Sequence, residues 1–235
     1  MAIDPERLII ALDLPDPKRA LMLVKVLSPL DISFKVGLEL FMVGGPSLVS
    51  ELASRYRVFL DLKFHDIPNT AGAAVRETAE LGVWMLNLHA SGGRDMMLAA
   101  SRAVAGLEKK PMLLAVTVLT SMSGRQLTET GYSDSITERV RLLSKLAFEC
   151  SLDGVVCSPL EISAVKKAVS PEFITVTPGV RPIGEDRGDQ SRIGTPAEVI
   201  RAGGDYLVVG RPVTRAADPL MAAEKILAEM GEGYE

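Results

Sequence analysis

Apolar residues fall in short, nearly unbroken runs along the 235-residue chain, at positions 8–12, 32–36, 58–62, 83–88, 112–119, 154–157, 173–176 and 206–209. The runs are rich in Val, Leu and Ile and do not alternate with polar residues, as expected of strands covered on both faces. Between them, positions 17–27, 46–54, 71–81, 94–105, 136–149, 160–168, 196–201 and 219–230 have helical spacing or composition. Strands alternating with helices, at roughly 25–30 residues per unit, predict an α/β protein of the (β/α)8 (TIM) barrel type. A doubly wound open sheet is the structural competitor. No shift of composition, linker or low-complexity tract divides the chain, so residues 1–235 are expected to form one domain.

A barrel of this kind carries its chemistry just beyond the C-terminal ends of its strands. Polar and glycine residues gather at those positions. Asp13 follows the first run, Lys35 and Gly37 the second, and Asp61-Leu62-Lys63 ends the third. His89-Ala90-Ser91-Gly92-Gly93 follows the fourth, and Thr117, Thr120 and Ser121 follow the fifth. Ser158-Pro159, Thr177-Pro178-Gly179 and Gly210-Arg211-Pro212 follow the last three.

The densest of these clusters is Asp61-Leu62-Lys63-Phe64-His65-Asp66-Ile67-Pro68-Asn69-Thr70. Side chains alternate along a strand, so Asp61 and Lys63 should point the same way. Asp66 falls in the following turn, and Pro68 suits the first turn of a helix. Charges at the mouth of a buried strand are costly unless paired, and such clusters often mark chemistry. A purely structural ion pair is the plain alternative.

Gly210-Arg211 has the look of a phosphate site, since glycine permits close backbone approach and arginine supplies a permanently charged donor fork. The long polar stretch 179–194 reads as a lid that could bring Arg181 and Gln190 to the same phosphate, with a plain surface loop as the alternative. His65 and His89 are the only histidines, too few and too ill-spaced for a metal site. Asp61, Asp66 and Glu39 could be imagined as ligands of a hard metal, but Lys35 and Lys63 would repel a dication.

Composition narrows the class further. A net charge of −4 and 47% hydrophobic residues disfavour a nucleic-acid coat or a basic membrane-surface protein. No apolar run approaches the length of about 18 residues that spans a bilayer, and residues 1–6 lack the layout of a signal peptide. Cys150 and Cys157 read as reduced thiols. The expectation is a stand-alone cytoplasmic protein that binds no nucleic acid and no membrane.

Taken together, the segments Ala11-Leu12-Asp13, Phe34-Lys35-Val36-Gly37, the stretch 61–70, Asn87-Leu88-His89-Ala90, Val118-Leu119-Thr120-Ser121, Thr177-Pro178-Gly179-Val180-Arg181 and Val209-Gly210-Arg211 resemble the orotidine 5′-phosphate decarboxylase family almost from end to end. Its Asp-x-Lys-x-x-Asp core is shared with a wider barrel superfamily, whereas the full ten-residue form with Lys35 on the preceding strand is far more specific. The resemblance implies decarboxylation of orotidine 5′-phosphate to UMP, without cofactor or metal. It implies that Lys63 donates a proton to C6, that Asp61 stands beside the carboxylate, and that Lys35 and Asp66 complete a Lys-Asp-Lys-Asp array. It further implies a homodimer in which Asp66, Ile67 and Thr70 serve the neighbouring site. Asp13, Lys35 and Thr70 would hold the ribose, Thr120 with Ser121 would read the pyrimidine, and Arg181, Gln190, Gly210 and Arg211 would take the phosphate.

The chemistry fits the residue types. Loss of carbon dioxide leaves an electron pair at a vinyl carbon that the ring does not readily delocalise, so positive charge and a prompt proton must come from the protein. The alternatives are a magnesium-dependent sugar-phosphate decarboxylase or aldolase of the same superfamily, such as 3-keto-L-gulonate 6-phosphate decarboxylase or hexulose phosphate synthase, and a non-catalytic nucleotide-binding module. Lys35 in place of a carboxylate disfavours the first, and an intact Lys-Asp-Lys-Asp set disfavours the second.

Overall fold

The computed structural model describes residues 4–183 and 192–234. Eight parallel strands pair in sequence order and close on themselves. They are β1 (Leu8–Ala11), β2 (Ser33–Gly37), β3 (Val58–Phe64), β4 (Met85–His89), β5 (Met112–Val116), β6 (Gly154–Val156), β7 (Ile174–Thr177) and β8 (Tyr206–Val209). Around them run α1 (Pro17–Leu27), α2 (Leu38–Ala53), α3 (Pro68–Ala79), α4 (Gly93–Val104), α5 (Gly124–Glu129), α6 (Ile136–Glu149), α7 (Ile162–Ala168), α8 (Pro196–Arg201), α9 (Arg211–Thr214) and α10 (Pro219–Glu232). The barrel prediction holds, and the open sheet is excluded by the β1–β8 pairing, Ile9 against Val208.

Alternation along each strand divides the core in two. Ile9, Phe59, Met85, Leu114, Val116, Val156, Val176 and Val208 fill the barrel interior. Residues of opposite parity, such as Ile10, Phe34, Leu60, Leu86 and Val155, meet the helices outside. Both sets are buried, which is why the strands read as unbroken apolar runs. Helix starts are set by polar caps: the side chains of Asp16, Ser135, Thr195 and Asp218 accept backbone N–H bonds at α1, α6, α8 and α10.

Several elements differ from the sequence reading, three of them for clear physical reasons. The second helix starts at Leu38, not at position 46, because Gly45 takes φ +64 and joins two helical pieces across a kink at Pro46. β5 stops at Val116, although the apolar run continues through Val118-Leu119. The short α5, expected as loop, is held by a capping box between Ser123 and Gln126.

β3 departs from ideal pairing at its functional end. Leu60 lies opposite Leu86 and Phe64 opposite Leu88, so four steps along β3 span two along β4. Within this bulge Lys63 adopts the left-handed region at φ +53, which an L-residue enters only when its surroundings hold it there.

Leu114 is fully buried in the barrel interior and lies away from the strand ends. Truncation of such a side chain leaves a cavity, so Leu114→Ala should lower the unfolding free energy by about 3 kcal/mol. Urea unfolding would check it. A loss below about 1 kcal/mol would contradict an interior packed as described.

Candidate active site

A cavity of about 670 Å³ opens at the C-terminal ends of the strands. Asp13, Lys35, Asp61, Lys63, Thr120, Ser121, Arg181, Gly210 and Arg211 all line it. Nine of the positions that sequence reasoning assigned to one site therefore converge, from the ends of six strands. A neighbouring cavity of about 600 Å³ over α9 and α10 shares Arg211 and Arg215 but is lined by neither Lys35 nor Lys63.

At the floor of the main cavity the charges form a chain. Asp13 Oδ1 lies 2.9 Å from Lys35 Nζ, which lies 3.2 Å from Asp61 Oδ2. Asp61 Oδ1 in turn lies 2.6 Å from Lys63 Nζ. Lys35 projects inward from β2, level with Ala11 and Phe59 on either side. Asp61 follows Phe59 on the same face of β3, and both charged groups are buried, with 7% and 9% exposure. Gly37 leaves room for this chain, since a Cβ there would stand 2.8 Å from Asp13 Oδ1 and 2.9 Å from Lys35 Nζ.

Electrostatics keep the interior charges ionised. Burial alone would raise the Asp61 carboxyl, but the charges of Lys35 and Lys63, and hydrogen bonds from Lys63 and Asn87, hold it at about 2. Burial would likewise lower the Lys35 ammonium, and the Asp61 and Asp13 carboxylates outweigh it, leaving Lys35 above its ordinary range. Opposite charges at this distance in a poorly solvated site favour the charged forms.

The segment 65–70 does not join this array within one chain. His65, Asp66, Ile67 and Thr70 are exposed. The Asp66 carboxylate accepts the Ile67 N–H at 2.7 Å, and among the described residues Asp66 makes no ion pair. Arg181 is buried, and its Nη1 donates to the Val180 carbonyl at 2.8 Å. Gln190 lies outside the described residues. Arg181 N–H donates to the Gly194 carbonyl at 3.0 Å, which joins the described residues on either side of positions 184–191. His65 and His89 face each other with ring centroids 5.3 Å apart. Half-burial and then the nearby His65 and Lys63 push the His89 imidazole down. Among the described residues no group of three His, Cys, Asp or Glu is arranged to hold a metal ion.

Three features escaped the sequence reading. Asn87, fully buried on β4, donates from Nδ2 to Asp61 Oδ1 at 2.6 Å. A lone polar residue inside the apolar run Met85-Leu86-Asn87-Leu88 was the available signal. Arg19 and Arg215 reach the rim of the cavity, but exposed arginines carry no distinguishing pattern. Arg192 is buried against Glu161 at 2.8 Å and donates to the Leu119 carbonyl at 2.8 Å. It braces the loop after β5 against the returning end of the loop after β7.

The Asp61 carboxyl generates a pH prediction. Its folded value lies below the ordinary 3.8, so its contribution to stability is complete above about pH 4 and is lost as pH falls through the folded value. The drop from 3.8 to about 2 corresponds to roughly 2 kcal/mol. Urea unfolding of the wild type and Asp61→Asn should differ by a constant amount above about pH 5, and that difference should shrink towards pH 2. A difference independent of pH over this window would contradict a stabilised carboxylate.

Known proteins are similar to this chain in sequence and in fold. Residues 6–226 match the orotidine 5′-phosphate decarboxylase / HUMPS family. An orotidine 5′-phosphate decarboxylase of Dichelobacter nodosus is 50% identical over 224 residues, covering 95% of this chain and 98% of its own. One from Saccharophagus degradans is 51% identical over 231 residues, covering 98% and 97%. The crystal structure of orotidine 5′-phosphate decarboxylase from Lactobacillus acidophilus superposes with a TM-score of 0.84 at 37% identity, over 95% of this chain and 98% of the other. A family match across most of the chain, relatives with half their residues identical, and a solved structure with the same barrel lead to one conclusion: the chain belongs to the orotidine 5′-phosphate decarboxylase / HUMPS family.

Proposed function

We infer that the chain decarboxylates orotidine 5′-phosphate to UMP and carbon dioxide, a step of pyrimidine biosynthesis, with Lys63 as the proton donor. The observation that carries the reading of the site is the buried Asp13–Lys35–Asp61–Lys63 chain opening into the cavity. The bond from C6 to the carboxylate breaks, and its electron pair stays on C6. The Lys63 ammonium then gives a proton to C6 and becomes an amine. Its positive charge also stabilises the electron pair as it develops, in a site where low polarity strengthens such interactions. The reading needs no cofactor and no metal.

Asp61 has two tasks in this scheme. It fixes the Lys63 ammonium at 2.6 Å, and as a buried anion it faces the substrate carboxylate. Repulsion there weakens as carbon dioxide leaves, a ground-state effect that adds to the electrostatic stabilisation of the carbanion. Asp13, Lys35 and Thr70 hold the ribose hydroxyls on this reading, and Thr120 with Ser121 reads the pyrimidine. Arg181, Gln190, Gly210 and Arg211 take the phosphate. Phosphate binding supplies energy that closes the loop after β7 and organises the array.

The site is completed by a second copy, with Asp66, Ile67 and Thr70 crossing into the neighbouring cavity. Their exposure supports this, Ile67 being 67% accessible. On α2, which follows the adjacent strand, Leu38, Met42 and Val43 are also exposed, and apolar surface of this kind often marks an interface. We place the enzyme in the cytoplasm as one barrel domain over residues 1–235. Two free buried cysteines fit a reducing compartment. Among the described residues no helix is long and apolar enough to cross a membrane.

Loss of orotidine 5′-phosphate absorbance on adding purified protein, unaffected by EDTA and with UMP as product, is the expected result. No loss from folded protein would sink the assignment, and loss abolished by EDTA would point to magnesium chemistry. Lys63→Ala should remain folded and lose turnover by on the order of 10⁴-fold. Mixing Lys63→Ala with Asp66→Ala should restore part of the activity, since each heterodimer would contain one intact site. Proven subunit exchange without recovery would refute sharing between chains.

A further inference from the structure

We propose that Asn87 is a positioning residue of the decarboxylation, a clamp that holds the Lys63 backbone and the Asp61 carboxylate in one fixed relation. The inference rests on Lys63 being the proton donor. Both ends of the Asn87 amide are committed. Its Oδ1 accepts the Lys63 N–H at 2.8 Å, and its Nδ2 donates to Asp61 Oδ1 at 2.6 Å. The first bond secures the bulged residue whose backbone lies at φ +53, a strained conformation that an L-residue keeps only with such support. The second falls on the same oxygen that receives Lys63 Nζ, leaving Oδ2 to Lys35.

Asn87 lies at the inner face of β4, two residues beyond the fully buried Met85, so the clamp is mounted on a rigid strand. An amide suits the position because it accepts at one end and donates at the other without adding charge. The charged groups around it are Asp61 and Lys63 on β3 and Lys35 on β2. His89, further along β4, lies close enough to sense Lys63 and Asp61. A carboxylate at position 87 would meet Asp61 at hydrogen-bonding distance, and two carboxyls so placed share a proton.

The test compares Asn87→Ala, Asn87→Asp and Lys63→Ala with the wild type. It measures kcat and KM for orotidine 5′-phosphate from pH 5 to 9, with UMP affinity and thermal melting as checks on folding. Asn87→Ala should lose about 100-fold in kcat, the scale of a small misplacement of a reacting group, with KM within about threefold of wild type. Asn87→Asp has the native shape. Its kcat relative to wild type should fall as pH rises, because only the shared proton restores a donor towards Asp61. A folded Asn87→Ala with kcat within about threefold of wild type would overturn the proposal, as would an Asn87→Asp ratio that does not change with pH. Should Asn87→Ala fail to fold, the Asn87→Asp ratio decides alone. Substantial turnover by Lys63→Ala would instead overturn the proton-donor reading, separating that failure from this one.

Discussion

An ionised carboxylate inside the mouth of a barrel is the constraint on which the rest of the site depends. Asp61 has 9% exposure, and burial by itself would favour the neutral acid. It stays charged because Lys35, Lys63 and Asn87 surround it. Lys35 carries the same liability, and Asp13 offsets it from the far side. A side chain at Gly37 would push both partners of that pair from their present positions. Asp61 thus ties the ends of β2, β3 and β4 to one another, and Asp13 joins the end of β1 to them through Lys35. Buried ion pairs rarely stabilise a fold more than apolar packing would, and breaking one partner is costly. An array of this kind is better explained by chemistry than by stability.

The barrel distributes these groups by rigidity. Lys35, Asp61 and Asn87 sit on paired strands, while Lys63 occupies a bulge where β3 slips against β4. Thr120, Ser121, Gly210 and Arg211 stand on turns beyond the strand ends, where loop geometry can follow a ligand. Arg192 links two of these regions, since it pairs with Glu161 and reaches the Val118 and Leu119 carbonyls. On the proposed reading, the groups near the reacting carbon stand on or beside paired strands, and the groups that grip distant parts of a substrate stand on turns. That order is what preorganised electrostatics requires.

Much of this was legible in the chain, for specific reasons. Strands buried on both faces produce unbroken Val, Leu and Ile runs, so all eight were visible. Val118-Leu119 extended one run too far because Leu119 is apolar for the sake of the cavity it lines, not for a strand. Gly44-Gly45-Pro46 looked like a break, whereas Gly45 lets helical pieces join on both sides of it. The pairing of Asp61 with Lys63 was anticipated from simple alternation, yet it is reached through a bulge and a left-handed residue that alternation does not foresee. Asn87 escaped because its role depends on the register between β3 and β4, which no local pattern encodes.

Charge balance explains why a shared site is physically reasonable. Within one chain the array contains two lysines and two aspartates, Lys35 and Lys63 against Asp13 and Asp61, so it is neutral before substrate arrives. A third carboxylate at its centre would unbalance it during folding. Asp66 instead sits on an exposed turn, hydrated and satisfied by the Ile67 N–H, where a negative charge costs little. On the proposed reading that charge enters a neighbouring site only when two folded chains associate, and the binding of the phosphate by Arg181 and Arg211 offsets the remaining anion. The excess negative charge is then concentrated beside the carboxylate and C6. It is relieved there as neutral carbon dioxide departs and the Lys63 proton neutralises the carbon left behind.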